Sequence, residues 1–167
     1  MTRLRICLLI VSATLLPLAS AIAQESGVVL SGKELTKVVP TSFYYVGQSA
    51  PTQMRNAAAA RFGTNRFVIV GDVDTSGYST DIQAKYQGFF ITDSRIAING
   101  TELGTGAYGF GFSEDKLNVF DVGGNPVISV GTTKDSALKR PRPLTMTKAA
   151  DGVRLYSGRS YVVIAAK

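Results

Sequence analysis

The sequence predicts a mainly β protein, an antiparallel barrel-like fold or sandwich of about nine short strands with one packed α-helix. Three observations lead there. From Arg66 onward the apolar residues recur with a period of two. Turn signals such as Asn99-Gly100, Gly123-Gly124-Asn125 and Ala150-Asp151-Gly152 punctuate the chain, at intervals of roughly ten residues. One stretch, near 51–62, reads instead as a helix.

The first element is not part of the fold. Arg3 and Arg5 open a basic start, residues 6–18 are largely apolar, and Ala21-Ile22-Ala23 is a small-x-small site. This is the layout of a secretory signal peptide over residues 1–23, cut before Gln24. The apolar run is shorter than the about 20 residues a spanning helix needs. No second such run follows, so the mature chain is expected to have no transmembrane anchor. The expected location is exported, periplasmic or extracellular.

Removing residues 1–23 leaves 144 residues, enough for one domain, 24–167. A chain of that size buries about two thirds of its unfolded surface. Sixteen Lys and Arg against twelve Asp and Glu leave it at +4. That charge suits contact with anionic surfaces but is far from a nucleic-acid footprint, so no nucleic acid is expected as partner. The one cysteine, Cys7, lies in the signal and follows Ile6 at the start of the apolar run, which excludes lipidation, disulfides and thiol chemistry. There is no His. Usual zinc, copper and haem ligands are therefore missing, as are Ser-His-Asp and Cys-His systems. No catalytic residue, metal or cofactor is expected.

Within the domain, residues 24–30 form an arm ending in a short strand. Ser31 and Glu34 match a capping box, which starts a short helix that must stop before Pro40. Residues 43–46 read as a strand. The helix near 51–62 has Ser49 to cap it, Pro51 in its first turn and Gly63 to stop it. Met54, Ala58 and Phe62 would form its apolar stripe. Strands follow at 67–73, 86–92 and 95–98, then at 108–112, 117–122 and 126–130, and finally at 144–148, 153–156 and 160–165. At roughly 5–7 residues they fall short of the about 9–11 a membrane barrel needs.

Four motifs invite chemistry. Gly104-Thr-Gly106-Ala-Tyr-Gly109 spells a dinucleotide loop, but Phe110-Gly111-Phe112 continues as strand where a helix is required. Asp72, Asp74 and Ser76 with Gly77 open like a calcium loop, but Gln83 stands where the bidentate Glu belongs. A polar turn explains them better. Ser113 to Lys116 spells S-x-x-K between two strands, without partner motifs. Asn99-Gly-Thr101 is a glycosylation sequon only in a host that reads it, and otherwise a hairpin tip.

The candidate site is the strand 108–112. Alternation puts Tyr108, Phe110 and Phe112 on one face and leaves Gly109 and Gly111 bare on the other. Glycine weakens a strand, so two of them need a reason. Either a ligand or another element lies against that backbone. The helix, with small residues at 57–60, is the protein candidate, and helix-on-strand packing is the favoured reading.

Residues 104–112, the hairpin 117–130 and the late run Arg154-Leu155-Tyr156-Ser157-Gly158-Arg159-Ser160-Tyr161 together resemble small exported bacterial all-β domains of unknown function. The resemblance covers roughly the C-terminal half of the chain and implies an all-β fold and export. It carries no functional residues across.

The expected function is an exported, non-enzymatic binding module of the cell envelope. It would hold a small apolar or amphipathic ligand, or dock onto another envelope component. The alternative is a structural or assembly factor of the envelope with no small ligand. A carboxylate-based hydrolase using Asp72, Asp74 and Asp81 comes third.

Overall fold

The computed structural model describes residues 27–167. The signal peptide read at 1–23 and the cut before Gln24 lie outside the described residues. Along the chain run β1 (Val28–Val29), α1 (Gly32–Val38), β2 (Ser42–Tyr45), β3 (Gln48–Phe62) and β4 (Arg66–Val73). Then come α2 (Thr80–Lys85), β5 (Gly88–Thr92), β6 (Ile96–Ile98), β7 (Thr101–Leu103), β8 (Gly106–Ser113) and β9 (Lys116–Phe120). The last are β10 (Pro126–Gly131), β11 (Thr133–Lys134), β12 (Arg142–Ala149), β13 (Gly152–Gly158) and β14 (Ser160–Ala166).

The expected mainly β, antiparallel fold is present, and it is a sandwich rather than a closed barrel. One sheet has the order β1-β3-β4-β5-β8-β9-β10, with β2 also paired to β3. The other has the order β12-β13-β14-β6-β7, with β11 on β14. Both are antiparallel throughout. Alternation decides which side chains meet between them. Val68 and Val70 of β4, Phe90 of β5, Phe110 of β8 and Val119 of β9 face Ile96, Ile98, Leu155, Val162 and Ile164 of the second sheet in one buried cluster. The opposite face of the first sheet is also covered. There Phe89, Val73 and Ile69 pack with Tyr45, Phe43 and Tyr86 and with Leu35, Val38 and Ile82 of the two helices.

The helix read near 51–62 is corrected: those residues belong to the strand β3. Its alanine-rich sequence favours a helix by only a few tenths of a kcal/mol per residue. Against that stand two ladders. Ala57–Phe62 pair with β4 around the turn at Gly63, and Ala60 and Arg61 pair with β1 on the other side. Between Thr52 and Ala57 the register shifts by a bulge, which bends the strand. Its first part pairs with β2 as a separate hairpin, Ser42 opposite Pro51. Of the supposed stripe, Ala58 and Phe62 are buried in the core, but Met54, in the bulge, is exposed.

The helices lie elsewhere. α1 begins after Ser31 and ends before Pro40 as the sequence suggests, although the Ser31 side chain makes no capping bond. α2 has no counterpart among the elements expected from the sequence. Its signal is nevertheless local: Ser79 Oγ accepts a bond from Ile82 N–H, Asp81 sits in the first turn and Lys85 in the last.

Candidate functional site

β8 is a central strand, paired to β5 on one side and to β9 on the other. The expected division of its faces holds. Phe110 is fully buried in the core, and Tyr108 and Phe112 pack against the same cluster. The rings of Phe110 and Phe112 meet edge to face, 5.9 Å between centroids. The Tyr108 hydroxyl donates to the carbonyl oxygen of Gly104 at 3.1 Å, at the rim of the strand.

The bare face is occupied by protein. Tyr86, just past the end of α2, sets the edge of its ring against Gly109, so that any Cβ there would overlap Cδ1 and Cε1 of the ring. A Cβ on Gly111 would stand 2.6 Å from the carbonyl oxygen of Ala84. The element packed on the two glycines is therefore α2 with its Tyr86 cap, not residues 57–60. Sequence reasoning placed Tyr86 at the start of a strand and missed it. Tyr86 is fixed from two more directions. Its ring stacks on Tyr45 with centroids 4.0 Å apart and planes 12° from parallel. Its hydroxyl donates to the carbonyl oxygen of Asp121 at 3.0 Å. Burial raises the pKa of both phenols, that of Tyr45 to about 12. The Tyr45 hydroxyl itself has no hydrogen-bond partner.

The acidic segment separates into three different environments. Asp74 Oδ1 accepts from the backbone N–H of Ser76 at 3.0 Å, the polar turn expected from the sequence. Bonds from Ser76 hold its carboxyl below the usual range. Asp81 is exposed on α2. Asp72 is buried in β4, with Oδ1 unpartnered. Burial pushes its carboxyl up to about 6, while a bond with Asn56 acts in the opposite direction. Among the described residues no group of three or more His, Cys, Asp or Glu side chains is placed to hold a metal ion.

The remaining motifs are structural. Gly106 and Gly109 lie in β8, so the glycine-rich run leads into a strand. Ser113 and Lys116 pair across the β8–β9 hairpin, and Ser113 Oγ accepts from Asn118. Asn99 and Gly100 take φ of 46° and 84° at the tip between β6 and β7, as a type I′ turn requires. A shallow groove of about 380 Å³ lies on the outer face of the second sheet, with Ala97, Val163 and Ala165 in it and Asp151 and Lys167 among its lining residues.

No protein-family model matches the chain, and no curated protein or solved structure matches it either.

Proposed function

We propose that the protein is an exported, non-enzymatic docking module of the cell envelope that works through its outer surface. The observation that supports this most is the filling of both faces of β8. Core rings occupy one face, and Tyr86 and Ala84 occupy the other. Against Gly109 and Gly111 the space a small apolar ligand would take is filled by Tyr86 and Ala84, and Phe110 is fully buried, whereas a surface partner needs no space there. Exposed apolar side chains at the ends of hairpins agree with docking. Tyr44, Val46 and Val122 are exposed, and Val46 N–H donates to the carbonyl oxygen of Val122 at 2.8 Å, joining two turns. The hydrolase reading gains no support, since Asp74 is tied into its turn and Asp81 stands on the surface.

Native mass spectrometry of the protein purified from its own host tests the reading. The expected result is a chain beginning at Gln24, carrying no small molecule. A retained small ligand, or a mature chain still bearing Met1, overturns it.

A further inference from the structure

The charge of the chain is unevenly divided. Residues 132–167 hold eight Lys and Arg against Asp135 and Asp151, an excess of +6, while residues 24–131 hold eight against ten acids. Half of these cations gather at one end of the second sheet. Lys139, Arg140, Arg142 and Arg159 are all exposed there. The fold holds them together. One Arg159 guanidinium nitrogen, Nη1, donates to the carbonyl oxygens of Ser136 at 3.2 Å and Leu138 at 2.6 Å, tying the β11–β12 loop to the β13–β14 turn. Arg142 pairs with Gly158 across β12 and β13. Pro141 and Pro143 stiffen the intervening chain.

None of the four cations takes part in the ion pairs Arg95–Glu102 and Lys134–Asp115, each 3.1 Å. The carboxylate on the same loop, Asp135, is engaged by the Ala137 N–H and by the Tyr156 hydroxyl, both at 3.0 Å. Four cations against that one carboxylate leave the cluster with a positive excess of +3.

We propose that this end of the sandwich docks onto an anionic lipid bilayer. The proposal rests on the docking reading above and names its partner. Clusters of roughly four to eight Lys and Arg suit anionic lipid surfaces, with about 1 kcal/mol for each cation near the surface. The four cations sit on a loop and a turn at the end of a sheet, not along a groove that would track a polyanionic chain. A broad anionic surface meets all four at once.

Vesicle flotation tests it. The purified protein should float with vesicles of phosphatidylglycerol and phosphatidylcholine, stay behind with phosphatidylcholine alone, and be released by salt. Replacing Lys139 and Arg140 together by Gln should weaken binding roughly twenty-five-fold, at about five-fold per cation. Replacing Lys33 and Lys148 by Gln removes the same charge from elsewhere and should change binding by less than about three-fold. All four positions are exposed, and melting curves verify that the variants fold. Equal binding to both vesicles, equal loss in both variant pairs, or tighter binding to a DNA duplex than to the anionic vesicles overturns the proposal. Failure here leaves the docking reading standing, and a retained small ligand in the native mass spectrum removes that reading without altering the vesicle result.

Discussion

Asp72 carries the cost of a buried carboxylate. It shares the alternation of Val68 and Val70 in β4, opposite Gly88 of β5, and is 5% exposed. Its folded pKa of about 6 lies above its ordinary 3.8 because burial disfavours the charged form. The folded state therefore binds the proton more tightly than the unfolded chain does. Below the unfolded value the group is neutral in both states and costs nothing. As pH rises from 3.8 to about 6 the penalty grows, so stability falls across that window and the loss is complete above it. Asp72→Asn is expected to gain about 1–2 kcal/mol over the parent at neutral pH, after allowance for solvent screening, and nothing below the unfolded pKa. Urea denaturation of both proteins across this range is the measurement; parallel curves would refute the buried charge.

At the scale of elements, β3 shows how a sheet overrides local preference. A helix would place Met54 beside Ala58 and Phe62, whereas the bulged strand exposes Met54 and buries Ala58 at 5%. The two structures make opposite demands on the same pair. Met54→Lys should shift stability by no more than about 0.5 kcal/mol, while Ala58→Lys should cost several kcal/mol, on the order of an unpaired buried charge. Thermal melts of the two variants check this, and equal costs would return the segment to a helical stripe. The same override explains α2. Its six residues are too few to be stable alone, so the helix depends on Tyr86 and the bare backbone of β8 for its place.

The molecule as a whole is held across its two sheets at the β6–β7 tip. Asn99 Nδ2 donates to the carbonyl oxygen of Gly131 in β10, at 2.6 Å. Its Oδ1 accepts from Val163 N–H in β14 at 2.7 Å. One side chain thereby joins an edge of the first sheet to the second. Asn99→Ala is expected to destabilise by roughly 1–3 kcal/mol, from two lost bonds and a left-handed backbone without its best residue. Chemical denaturation measures the loss, and an unchanged midpoint would mean the bonds contribute nothing. The apolar cluster at Val46 and Val122 and the basic cluster lie toward opposite ends of β9. The first adjoins the β9–β10 turn, and the chain leading to the second leaves β10 beside the β8–β9 turn, where Thr132 N–H donates to the carbonyl oxygen of Asp115 at 2.8 Å.

Much was decided by short-range chemistry, and that part was legible. Alternation set the mainly β class and the inward rings of Tyr108, Phe110 and Phe112. Asn99-Gly100 specified its own turn because both residues tolerate positive φ. The alternation also marked Gly109 and Gly111 as positions needing a close neighbour, but it did not name that neighbour. Which element lies against a bare strand depends on contacts between residues distant in sequence. Here a six-residue helix and Tyr86 fill the space, and Tyr86 is held by Tyr45 and Asp121 from the far parts of the chain. The strand at 48–62 was hidden for the same reason. Its alanines and good helix formers favour a helix slightly, residue by residue, and only the ladders to β1, β2 and β4, which exist once the sheets assemble, outweigh that preference.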